Sequence, residues 1–143
     1  MFTGTWPQDK DLHTLKDSVV GMAKRRISEA DGREAVRAVL TGEDSRTTVA
    51  TAVRYLLEEL AERAPGNSVE VRVPPFGATQ CVAGPRHTRG TPPNVVEMQP
   101  DTWIALATGG LEWQAALDAA RVIASGARAD IAPLLPLIHP ARP

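Results

Sequence analysis

An α/β fold of the α+β kind is the class that this 143-residue sequence predicts, and three observations predict it. Two segments with helical apolar spacing come first. The stretch SVEVRVPP then switches to strict alternation, the mark of a half-buried strand. In the second half, further alternating runs are interleaved with helical ones and punctuated by Gly and Pro. The length suits one domain, and a chain of this size buries roughly 68–70% of its unfolded surface, enough for one core.

The elements follow in order. Residues 1–21 are read as an N-terminal extension or arm, able to form a short helix with Leu12, Leu15 and Val19 on one face. Met22, followed by a small residue and a basic run, reads like a native start. A helix is expected from Ser28, with Ala35, Val36, Val39 and Leu40 on its apolar side and Gly42 at its end. A longer one is expected from Thr47 to Ala64, where Val49, Val53, Leu56 and Leu60 make one stripe, broadened by Ala50 and Leu57. Pro65–Gly66 stops it. In the strand that follows, Val69, Val71 and Val73 share one face, and Glu70 and Arg72 the other. ATQCVAG follows closely enough to form a hairpin with it.

Gly84 to Pro93 reads as a loop, and NVVEM as a third strand. Pro100–Asp101 opens a helix with Trp103 and Leu106 inward, closed by Gly109–Gly110. EWQAALDA is a further helical segment, and RVIAS a last strand ending at Gly126. Asp130 is placed to cap a final short helix holding Ile131, Leu134 and Leu135. This makes roughly three or four strands and four or five helices. The domain spans 22–138, and 139–143 is a proline-rich tail.

Composition excludes several classes. Hydrophobic residues make up 43% and charged residues 23%, as in ordinary globular proteins. No apolar run approaches the ~20 residues of a membrane-spanning helix. The first residues lack a signal-peptide core, so a cytoplasmic location is expected. A net charge of −1 argues against nucleic acid as the main partner. The single cysteine, Cys81, allows no intramolecular disulfide.

Catalytic and metal chemistry find little support. His13, His87 and His139 are far apart in the chain. Cys81 and His87 do not supply the three or four ligands of a metal site, and a mid-strand cysteine is usually a small core residue. No phosphate-cradling glycine loop is present. No cofactor, metal or catalytic residue is expected.

Two features rise above this background. Large apolar groups crowd the second half of the chain: Phe76, Trp103, Leu106, Trp113, Leu117, Leu134, Leu135 and Leu137. They either pack the core or line a cavity. Meanwhile no carboxylate occurs between Glu70 and Glu97, while Arg72, Arg86, His87 and Arg89 accumulate. The loop GPRHTRGTPPN is stiffened by its prolines and presents arginine forks that match carboxylate or phosphate oxygens. Its alternative role is structural, with Arg86 or Arg89 paired to a distant carboxylate such as Glu58 or Asp101.

The stretch TGGLEWQAALDAARVIASGARADIAPLLPLI resembles the closing signature of the sterol carrier protein type-2 superfamily. AVRYLLEELAERAPGNSVEVRVPPFGATQC, GPRHTRGTPPNVVEM and the following TW resemble its bacterial branch of sterol carrier family proteins, common in actinobacteria. The likeness covers roughly Met22 to Ile138. One departure is Ala120, which stands where the superfamily often has glycine.

The resemblance implies a mixed sheet of about five strands, with helices packed on one face around an apolar tunnel. It also implies a non-enzymatic protein that binds, or transfers, a lipid or other apolar small molecule. The eight apolar residues above would line the pocket, and Arg86, His87 and Arg89 would hold an anionic head group at its mouth. The alternative is an accessory module of the same fold acting with a partner protein, since such domains occur fused to enzymes such as thiol-dependent isomerases.

Overall fold

The computed structural model describes residues 26–84 and 94–139. The expected arm with Leu12, Leu15 and Val19, the loop residues Arg86, His87 and Arg89, and residues 140–143 lie outside the described residues.

Helix α1 (Glu29–Leu40) begins where Ser28, in extended conformation, accepts the Asp31 N–H at 3.0 Å. That bond satisfies one of the donors a helix leaves free in its first turn. Helix α2 (Arg46–Arg63) is capped in the same way by Ser45, which accepts from Thr48 N–H at 3.2 Å. Its predicted stripe is inward, with Val53, Leu56 and Leu60 fully buried and Val49 at the margin.

The alternating segments form β1 (Val69–Val73) and β2 (Gly77–Cys81), an antiparallel hairpin with Val71 opposite Thr79. Strand β3 (Val95–Met98) lies parallel to β1 on its other side, and β4 (Val122–Ser125) runs antiparallel to β3. The sheet order is therefore β2-β1-β3-β4. Four strands are seen among the described residues, against the five or so that the resemblance implies. The side chain of buried Asn94 ties the crossover into β3. Its amide nitrogen donates to Ser68 O at 2.7 Å, and its oxygen accepts Arg128 N–H at 2.8 Å.

Helix α3 (Pro100–Thr108) starts with proline, whose missing N–H costs nothing there, and ends at Gly109 in the left-handed region, with φ 88°. Helix α4 (Trp113–Asp118) follows at once. It closes through Ala120, whose φ of 58° is unusual for alanine. This is the position where the superfamily often has glycine. The expected final helix is instead one 3₁₀ turn (Ala132–Leu134). Its N-cap position is Ile131, not the expected Asp130, although the Asp130 carboxylate one residue earlier accepts Ala132 N–H at 2.9 Å. Pro133 and Pro136 lack the N–H that a longer helix needs.

The core lies between one sheet face and the helices. Val69, Val71, Val73, Val96, Met98 and Val122 meet α2 and the buried Trp103 and Leu106 of α3 in one cluster. The opposite sheet face carries Glu70, Arg72, Glu97 and an Ile123 that is 70% exposed. Among the described residues, no helix is long and apolar enough to cross a membrane.

Candidate functional site

The C-terminal half builds a groove from three segments of the chain. The last turn of α3 contributes Leu106 and Thr108, and the connection into α4 contributes Leu111 and Trp113. The terminal segment returns against them because Leu137 and Ile138 both donate their N–H to Ala107 O, at 2.8 and 3.1 Å. That carbonyl is in the last turn of α3, where helical acceptors lack a partner within the helix. The bond sets Leu135 and Pro136 along the opposite wall. Gly109 lies against Pro136, and its φ of 88° is what makes glycine the residue suited to this turn. The resulting groove has a volume of about 590 Å³, with Glu112, Gln114 and His139 at its rim.

This placement divides the predicted apolar set. Leu106, Trp113 and Leu135 line the groove, and Leu117 and Leu134 pack half-buried against the core. Trp103 is fully buried, with its indole N–H donating to Val53 O at 3.2 Å, and Leu137 is buried at 3% exposure. Phe76 is elsewhere, on a trough of about 750 Å³ between α2 and β2. Leu111 and Pro136 belong to the groove but follow no helical or strand period, which is why periodicity does not single them out.

The loop with Arg86, His87 and Arg89 lies outside the described residues. The two carboxylates named as its structural partners each have a partner among the described residues. Glu58 accepts the Arg26 and Ile27 N–H groups, each at 3.1 Å, and Asp101 lies 3.7 Å from Arg121.

Cys81 sits at the end of β2 with no exposure, and burial pushes its thiol up to about 11. That direction disfavours the thiolate, the reverse of an activated nucleophile. At pH 8 a thiol with that value is only about one part in a thousand ionised. The folded protein should therefore alkylate at Cys81 at least about a hundredfold more slowly than the urea-unfolded chain, read by mass spectrometry. Equal rates would show that the thiol is accessible. Among the described residues, no group of three or more His, Cys, Asp or Glu side chains is placed to hold a metal ion.

No curated protein matches the chain. The family model described as bacterial SCP ortholog matches residues 45–137, from the cap of α2 to the buried Leu137. The match covers more than half of the chain and takes in the whole sheet, α2 to α4 and both walls of the groove. On that match, and with a mixed sheet carrying its helices on one face, this chain belongs to the bacterial SCP ortholog family.

Proposed function

We propose that the protein is a carrier, not a catalyst, that binds a lipid or another apolar small molecule along the C-terminal groove. Membership in the family points to binding or transfer of such ligands. The observation that carries the reading is the convergence of Leu111, Trp113 and Leu135, each still partly exposed, on one concavity of about 590 Å³. Large apolar groups left in contact with water on a concave wall regain their hydrophobic free energy when an apolar ligand covers them. Each buried methylene contributes about 0.8 kcal/mol, so half a fatty chain supports micromolar affinity after the costs of association. Arg86, His87 and Arg89 remain the proposed head-group residues, supported by their residue types and the absence of nearby carboxylates in sequence.

Displacement of a fluorescent fatty-acid probe tests the reading. The native protein is expected to bind saturably at about micromolar concentration, and Trp113→Gln with Leu135→Gln to weaken binding at least about tenfold. Thermal stability should change less than binding, because both side chains are only half-buried. Folded protein with no saturable binding, or a double variant that binds like the native chain, would remove the groove from the argument.

A further inference from the structure

We infer that the trough between α2 and the edge of β2 accepts an extended, acidic peptide segment of a partner protein as an added strand. This surface is separate from the C-terminal groove, and the two readings stand or fall independently.

The walls have the form that strand addition needs. On one side, Thr51, Arg54 and Leu57 come from a single face of α2. On the other side, the consecutive residues Gly77, Ala78 and Thr79 all line the trough. Successive strand residues point to opposite faces, so a concavity that touches all three runs over the strand's edge.

The backbone at that edge can be assigned. Glu70 N–H donates to Asn94 O at 2.9 Å, which commits the peptide groups of Glu70 to β3. Val69, Val71 and Val73 then bond to β2, through their partners Cys81, Thr79 and Gly77. Ala78 and Gln80 are left with N–H and C=O directed away from the sheet. Paired donors and acceptors at strand spacing match another backbone, whereas an acyl chain would leave them unsatisfied.

Charge selects the kind of strand. Arg33, Arg37, Arg63, Arg72 and Arg121 each lie within 4 Å of a carboxylate. Among the described residues, no carboxylate lies that close to Arg26, Arg46 or Arg54, around the trough. Two of these are held in place: Arg54 Nε donates to Phe76 O at 2.8 Å, and the Arg46 guanidinium lies 5.1 Å from the centre of the Phe76 ring. The carboxylate among the lining residues, Glu58, already accepts two backbone N–H groups. Arg26 and Arg54 therefore line the trough, with Arg46 beside it over Phe76, three guanidiniums against the single lining carboxylate of Glu58. Carboxylates on alternate residues of an incoming strand would meet them, while its apolar side chains rest on Leu57 and Phe76.

Fluorescence anisotropy with the full chain tests this. The probes are labelled, end-blocked heptapeptides: one alternating valine with glutamate, its lysine counterpart, and the glutamate peptide N-methylated at alternate peptide groups. The glutamate peptide should bind saturably, and the other two at least about tenfold more weakly. Ala78→Pro removes an outward N–H at an edge position where proline is tolerated, and should weaken the glutamate peptide by a similar factor while the protein still melts cooperatively. If that variant does not fold, the N-methylated peptide decides on the unaltered protein. Arg26→Glu with Arg46→Glu should reverse the preference between the acidic and basic peptides. Equal binding of the acidic and basic peptides, or undiminished binding after N-methylation, overturns the inference. So does a trough that takes up dodecanoate but not the acidic peptide.

Discussion

Replacing Trp103 with alanine is expected to destabilise the protein by about 4 kcal/mol, within the 3–5 kcal/mol range for truncating a buried large aromatic. The indole has no exposed surface and lies in the cluster shared by α2, α3 and the sheet. Both neighbouring layers are built of regular elements, which limits collapse into the space left behind. The loss also removes the donor to Val53 O, though that carbonyl is already within a helix and keeps its own ladder partner. Most of the effect is therefore lost packing and burial. For a domain whose total stability is of order 5–15 kcal/mol, a loss of this size removes about a quarter of it or more. In urea, the midpoint should fall sharply with little change in slope. Trp103→Phe keeps most of the apolar volume and should cost less than half as much. A loss under about 1 kcal/mol in the alanine variant would show that the site is loosely packed or collapses freely.

The second large effect runs against local preference. Gly32 lies within α1, where exchange for alanine in an exposed helix would gain about 1 kcal/mol. Here a Cβ would overlap the ring of Tyr55 on α2, and that ring is 1% exposed. Neither the ring nor the helix backbone can yield without separating α1 from α2. Overpacking of this kind costs typically 1–3 kcal/mol and occasionally more, and an overlap with the ring itself belongs at the upper end, so Gly32→Ala is expected to lose about 2 kcal/mol net. A double-mutant cycle checks the cause, since adding Tyr55→Leu should restore part of the loss by making room for the methyl group. If Gly32→Ala stabilises the protein, propensity dominates and the helices are free to move apart.

The two tryptophans of the C-terminal half show how far local pattern reaches. Trp103 and Trp113 both stand near the start of a helix, in stretches of similar composition, and both are expected on an apolar wall. One proves to be core and the other a groove residue. The difference comes from what packs over each: α2 lies across Trp103, while Trp113 is half-buried and lines the groove shared with the returning terminal segment. Phe76 diverges for a similar reason. It follows the strand that pairs with the sheet's centre, and the hairpin carries it to the outer edge, away from the leucines with which composition groups it.

What the amino-acid order determined unaided was local: the helix start at Ser28, the alternation of Val69, Val71 and Val73, the stops at Pro65–Gly66 and Gly109, and the family motifs along residues 45–137. These follow from periodicities of 3.6 and 2 and from the special backbones of Gly and Pro, none of which needs a distant partner. Tertiary structure alone decided which strand became an edge, because the order β2-β1-β3-β4 depends on a crossover that the Asn94 amide secures. It also decided that the terminal segment folds back onto Ala107 O and so gives the groove its second wall. Both outcomes rest on contacts between residues far apart in the chain. Such contacts satisfy backbone groups and bury apolar surface only once the rest of the domain is in place.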